Sequence, residues 1–342
     1  MLDVKYLVAN EPNKVEYCSE SYDENLLPED RILVKTHFST ISAGTELAWI
    51  AGNSNNPHAR AFPFYPGYSA SGEVIKVGSK VEKFAVGDRV IMPWSGHRSY
   101  VALPTNKVGN GVYKINDPRV DLQDASLTHI ASFSMLGIRR LKIQMGEPVM
   151  IAGLGLLGLI ALQAARLSGA APLLACDLSE ERRQLALQLG ADAVFDPREE
   201  NFVEKVKSAS GGKGVSAVVE VTGNAVALKQ ALQYTAKMGR ISLLGCTRIP
   251  DCPIDFYRDV HLPGITLIGA HTSNRPEIDS HSDGWNTHDD YETVLKYLAT
   301  KRFDFKKLIS QVVNPENAPE VYKKLLEGKN SPLGFVFDWQ KI

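Results

Sequence analysis

The chain has 342 residues, 44% of them hydrophobic, which is enough for two domains of ordinary size with a core each. A formal net charge of -1 gives no overall basic bias for tracking phosphates, so nucleic acid is not expected as a partner. The longest apolar run, Val149 to Leu162 (VMIAGLGLLGLIAL), is shorter than a bilayer span and holds three glycines, so no membrane crossing is expected.

The first residues, MLDVKYLVANEPNK, alternate apolar and polar and lack the basic start, apolar block and cleavage site of an export signal. A cytoplasmic protein is expected. The cysteines, Cys18, Cys176, Cys246 and Cys252, form no CxxC pair, which suits a reducing compartment and argues against a cysteine-rich zinc lobe. From Met1 to about Asn116, short β-branched runs such as RILVKTHF, SGEVIKVG and DRVIMPW alternate with Gly, Pro and Asn turns and predict an all-β module. The stretch PGYSASGEV, Pro66 to Val74, has the glycine spacing of a turn that carries chemistry, with Tyr68 and Ser69 in its middle.

Around Leu122 the texture becomes helical (LQDASLTHIASFSMLGIRRLKI), and from Pro148 strands and helices alternate. The strand cores VMIAG, PLLACD, AVFDP, AVVEVTG, RISLLG and ITLIGA predict one doubly wound, six-stranded parallel sheet, an α/β fold. After His271 follow a polar loop, SNRPEIDSHSDGWNTHDD, a helix (YETVLKYLATKR) and a last strand in LGFVFDW.

Gly153, Gly155 and Gly158 form GLGLLG between the strand VMIA and a helix beginning at Leu156 and Leu157. In that context the first glycine allows the tight turn, the second lets backbone approach a pyrophosphate, and the third lets helix and strand pack closely. The helix N-terminus favours the phosphate charge. Asp177 ends the next strand, nineteen residues after Gly158, where a carboxylate accepts ribose hydroxyls and repels a 2′-phosphate. NAD is therefore expected over NADP. Arg182 and Arg183 are the residues that could pair with such a phosphate; the preferred reading is a solvated helix face.

GEVIKVGSKVEKFAVGDRV, the GLGLLG turn, and the late VTG and GRISLLG segments together resemble the medium-chain dehydrogenase/reductase superfamily over nearly the whole chain. The resemblance implies a GroES-like β-rich catalytic domain from residues 1–122 and 272–342 around a Rossmann domain at 123–271, with the active site in the cleft. It also implies cofactor contacts at Thr222, Gly245 and His271. Zinc members carry ligands in a CGTD-like segment, a GHE segment and the helix before the Rossmann domain. The matching positions here are Ala43, the pair Tyr68 and Ser69, and His129. Catalytic zinc needs three protein donors, so the metal is expected to be absent. The four-cysteine lobe is missing too, because MPWSGHRSYVALP runs straight into the next strand.

By the same match Thr45 corresponds to the hydroxyl residue that relays a proton from the substrate alcohol, and Glu46 to the acid behind the metal ligands. Something must take the proton that zinc would acidify. His129 is the candidate general base, with a reference pKa near neutrality, and Tyr68 could donate to the developing oxygen charge. The bland alternatives are a hydrogen-bonded histidine on a buried helix for His129, and turn residues for Tyr68 and Ser69. His37 reads as structural. Trp94 and His97 offer a substrate wall or plain loop residues, and Arg275 and Trp285, with His281 and His288 nearby, lie in the polar loop.

The GTE segment, the absent lobe and the long polar loop also resemble a subgroup of sugar and glycoside oxidising enzymes and bacteriochlorophyllide dehydrogenase-like proteins. The expected activity is zinc-independent, NAD-dependent oxidation of a secondary alcohol on a sugar, glycoside or cyclitol by a homo-oligomer, dimer or tetramer. Two other readings stand: an enone or quinone reductase of the same superfamily, and a nucleotide-binding protein without turnover.

Overall fold

The computed structural model describes residues 1–52, 61–106, 111–247, 252–282, 284–328 and 332–342. It divides into two compact units: residues 1–130, 286–301 and 305–342, and residues 131–285 with 302–304. One boundary thus falls inside the helix Thr128–Leu141 and the other after Trp285, rather than at 122/123 and 271/272.

In the first unit β1 (Leu2–Glu11) and β2 (Lys14–Tyr22) form an antiparallel hairpin. The main sheet contains β3 (Arg31–Thr40), β4 (Ser69–Val77), β5 (Arg89–Pro93), β6 (Tyr100–Pro104) and β7 (Tyr113–Lys114). Its other edge is made by two C-terminal strands, Gln311–Val313 and Phe335–Asp338, the second pairing antiparallel with β3. The chain ends are joined by burial as well: Leu7, Ile50, Tyr322, Phe337 and Trp339 share one core. Fully burying an apolar side chain of this size contributes roughly 1.5–3 kcal/mol, so the C-terminal segment is integral to the unit.

The all-β expectation for this half misses a helix, Ala43–Ile50. Its sequence, AGTELAWI, is short and was masked by the surrounding β pattern. The carboxylate of Glu46 accepts the backbone N–H of Ser42 at 2.9 Å, satisfying a donor at the helix start.

The second unit holds β8 (Val149–Ala152), β9 (Leu173–Cys176), β10 (Ala193–Phe195), β11 (Val215–Glu220), β12 (Thr235–Leu243) and β13 (Thr266–Gly269). Their order is β10-β9-β8-β11-β12-β13 and every pairing is parallel, so the six-stranded sheet read from the strand cores is present. β8 and β9 are fully buried, which explains their continuous apolar runs. The order reverses between β8 and β11, and open α/β sheets bind ligands outside the C-terminal strand ends at such a point. Among the described residues no helix is long and apolar enough to cross a membrane.

Candidate functional site

The glycine turn sits at that reversal. Gly153 follows β8 with φ +99°, a left-handed conformation, and a Cβ there would lie 2.7 Å from Cγ2 of Thr222, which follows β11. A Cβ on Gly158 would overlap the carbonyl oxygen of Gly153, so close helix–turn packing needs glycine there. Gly155 is the N-cap of the helix Leu156–Leu167 and faces open space, leaving Leu156 and Leu157 in its first turn. The first-turn N–H groups of a helix are unsatisfied within it and attract anions.

Asp177 lies just past β9 and accepts backbone N–H groups on both carboxylate oxygens, from Leu154 at 2.7 Å and Ser179 at 2.8 Å. The acid therefore braces the glycine turn from the neighbouring strand end. Thr222 donates through its backbone and its hydroxyl to Glu220. Burial pushes the Glu220 carboxyl up, against the hydrogen bonds from Thr222 and Gly223 that favour its ionised form. Gly245 follows β12 and donates its N–H to the Glu220 carbonyl at 2.8 Å.

The pair of arginines behaves differently from a solvated face. Arg183 is only 8% exposed and donates to the Asp177 carbonyl at 2.6 Å, to Asp196 at 3.2 Å and to Glu180. It is a structural clamp, and its neighbour Arg182 is half-buried. His271 is exposed and shares a 2.7 Å hydrogen bond between Nδ1 and the Ser273 hydroxyl. Arg275 donates to the carbonyl of Ser132, and the guanidinium of Arg139 lies 3.4 Å over the ring of Trp285. Both loop residues are thus held to the helix Thr128–Leu141.

In the first unit an aromatic cluster gathers three of the singled-out side chains. Tyr68 stacks on Trp94 with centroids 5.2 Å apart, and His129 stands edge-on to both, at 5.8 Å from Tyr68 and 5.6 Å from Trp94. Trp49, from the unforeseen helix, packs against Tyr68 at 6.1 Å. His129 is buried, and its Nδ1 lies 2.5 Å from the hydroxyl of Tyr291. Tyr68 is buried and donates to the Ser42 hydroxyl. Trp94 keeps 38% of its surface exposed and adopts φ +58°, uncommon for a bulky residue, with its N–H on the Tyr68 carbonyl at 3.1 Å. Tyr291 and Ser42 were not legible as site residues, because nothing in YETVLKYL or ISAGTE distinguishes them from ordinary helix and turn positions.

Ser69 goes elsewhere: its hydroxyl donates to the Ser126 carbonyl at 2.5 Å. Thr45 is half-buried on the helix beside Glu46. Glu46 is fully buried and is a hub, accepting from Tyr322 at 2.5 Å and from His97 Nε2 at 3.2 Å in addition to Ser42. His97 Nδ1 bonds the Ser39 hydroxyl at 2.7 Å, which accepts from Trp339 Nε1 at 2.8 Å. The side chain of His97 is fully buried and braces the helix that carries Trp49. His37 sits on β3, where burial holds its imidazole below the usual range. Among the described residues no group of three or more His, Cys, Asp or Glu gathers as a metal site.

Comparison with known proteins agrees with this architecture. Residues 28–115 match the alcohol dehydrogenase GroES-like domain, and residues 157–284 match a family described as zinc-binding dehydrogenase. The chain is 30% identical to L-threonine 3-dehydrogenase of Pyrococcus abyssi, over 70% of this chain and 74% of that enzyme. It is 28% identical to D-guloside 3-dehydrogenase of Escherichia coli, over 77% of this chain and 74% of that one. The crystal structure of 2R,3R-butanediol dehydrogenase from Bacillus subtilis superposes with a TM-score of 0.80 at 22% identity, covering 98% of this chain and 99% of that chain. With both domains matched in order along the chain, the protein belongs to the medium-chain dehydrogenase/reductase superfamily, among its alcohol dehydrogenase-like members.

Proposed function

We propose that the protein oxidises a secondary hydroxyl of a polyhydroxylated substrate, a sugar, glycoside or cyclitol, with NAD and without catalytic zinc. The observation that carries this reading is the buried His129–Tyr291 hydrogen bond, set beside the stacked rings of Tyr68 and Trp94. When Nδ1–H of His129 donates to Tyr291, Nε2 is left as the acceptor, the tautomer a general base requires.

The residues at the zinc-ligand positions do not fit that metal. Ala43 has no donor atom, the hydroxyls of Tyr68 and Ser69 are engaged by Ser42 and the Ser126 carbonyl, and His129 alone brings a nitrogen. Structural and catalytic zinc take three or four thiolate, imidazole or carboxylate ligands. The proton of the substrate hydroxyl then passes to His129, while the Tyr68 hydroxyl, which donates to Ser42, would meet the developing oxygen charge by turning that proton from Ser42 to the substrate. Thr45 is kept as a proton-relay residue of the same reading. Glu46 acts through others, as a positioning residue.

The dinucleotide fits the second unit: the open turn at Gly155 suits a pyrophosphate, and Asp177 favours NAD over NADP through its charge. When bound, the nicotinamide accepts or returns the hydride. Thr222, Gly245 and His271 lie on the strand-end side assigned to it, and Arg182 is the residue through which NADP would enter. The name of the guloside relative supports a carbohydrate substrate. The same reading makes the enzyme a cytoplasmic homo-oligomer.

The exposed indole of Trp94 would also stack a quinone, so one experiment carries both classes. NAD reduction is followed on sugars, glycosides and cyclitols, and NADH oxidation on enones and quinones. The expected result is a larger kcat/KM for the polyol panel; a larger value for the carbonyl panel overturns the reading in favour of a reductase.

A further inference from the structure

A concavity of about 680 Å³ in the first unit shares Trp49, Tyr68 and Trp94 with the His129 cluster, then extends past them to Tyr65, Tyr6 and Arg98. Its size falls within the roughly 300–1,000 Å³ of small-molecule sites. The extension is built from aromatic faces and one ion pair. Tyr65 is 50% exposed and its ring lies 6.0 Å from that of Tyr6. The Arg98 guanidinium sits 5.5 Å over the Tyr6 ring and donates to Glu20 at 3.0 Å.

We infer that this extension is a second saccharide subsite, so that the enzyme acts on a glycoside of two sugar rings rather than on a free monosaccharide. The inference rests on the dehydrogenase reading above, deepening its substrate class. A pyranose ring has a face of C–H bonds and a rim of hydroxyls. Its slightly positive C–H face meets the negative face of an aromatic ring, as the partly exposed Trp94 and Tyr65 offer. Its rim hydroxyls need both donors and acceptors, which Arg98 and Glu20 supply together. A purely hydrocarbon extension of the substrate would strip water from that ion pair and return nothing. A phosphate would meet Arg98 but also the carboxylate of Glu20. The two places share Trp49, Tyr68 and Trp94 as a wall, and the inferred ligand sets one ring with its reacting hydroxyl toward His129 and the next beyond Trp94.

The test uses methyl β-glucoside and methyl β-galactoside as one-ring probes, with cellobiose and lactose as their two-ring counterparts. Both turnover with NAD and equilibrium binding followed by tryptophan fluorescence are measured. For at least one pair the two-ring probe is expected to bind and to react, in kcat/KM, at least tenfold better. Arg98→Ala and Tyr65→Ala are expected to bring that ratio towards one, mainly through KM. A ratio near one in the unsubstituted enzyme, or a high ratio that both substitutions leave unchanged, overturns the subsite. Tight two-ring binding that falls in both variants, with no turnover of any probe, keeps the subsite and sinks the dehydrogenase reading instead.

Discussion

The Nδ1 atom of His129 lies 2.5 Å from the hydroxyl of Tyr291, a residue 162 positions further along the chain. Tyr291 is wholly buried and also stands edge-on to the imidazole at 5.9 Å, so it holds the plane of the ring. His129→Ala is expected to lower kcat by about 10², the usual range for loss of a general acid-base group, with NAD affinity nearly intact. Tyr291→Phe keeps the ring and removes the hydroxyl, and is expected to lower kcat by about tenfold while changing the histidine ¹⁵N shifts of His129. Unchanged turnover in His129→Ala would transfer the role to Tyr68.

Asp177 holds two backbone N–H groups, those of Leu154 and Ser179. Asp177→Ala is therefore expected to weaken binding of both dinucleotides, by loosening the turn at Leu154, and to reduce the preference for NAD over NADP. Hydrogen bonds to a charged group are worth about 1.5–3 kcal/mol, so the ratio of the two dissociation constants should fall by roughly tenfold or more. Titration of both cofactors measures it. A ratio that survives the substitution would assign the preference to Arg182.

Metal content is the third expectation. Because the Tyr68 and Ser69 hydroxyls are committed to Ser42 and Ser126, the purified enzyme should carry less than stoichiometric zinc and keep its activity through dialysis against a chelator. Elemental analysis beside the activity assay reads both. One zinc per chain, with activity lost on its removal, would overturn the zinc-free mechanism.

Stability should fall in acid below about pH 6.5, the ordinary histidine value, through His288 and His37. Burial lowers both imidazoles, so the unfolded chain binds protons first as pH drops. Their contribution is complete above the unfolded value and is lost as pH falls through the lower folded one. His288 packs on Tyr113 at 5.3 Å and on Tyr291 at 5.9 Å, so its protonation also disturbs the wall behind His129. Thermal melting from pH 8 to pH 5 should show a smaller acid loss in His288→Gln; identical slopes would remove His288 from the account.

The parts of this protein that were legible in advance are those encoded locally. Six apolar runs punctuated by Gly, Pro and Asn marked the parallel strands, most plainly the fully buried β8 and β9, since a buried strand must be apolar along its length whatever its neighbours. GLGLLG marked the turn because only glycine fits a left-handed residue against Thr222 and a helix pressed on Gly153. The helix Ala43–Ile50 escaped because eight residues are too few for a periodic signal inside a β-rich stretch.

Partners across long separations were not legible, and they make the candidate site. Glu46 meets Tyr322 across 276 residues and His97 across 51, and Tyr68 meets Ser42 across 26. A residue's type states what bonds it needs, and its spacing states which face it occupies. Neither states which distant side chain will satisfy it, because that follows from how strands pair and which cores close around them. Thus His97, a loop residue by its neighbours, became a buried brace, and Arg183, a surface cation by its pattern, became a clamp on Asp177 and Asp196. His129, one of several histidines in the sequence, acquired its place beside Tyr68, Trp94 and Tyr291 only when the fold enclosed them together.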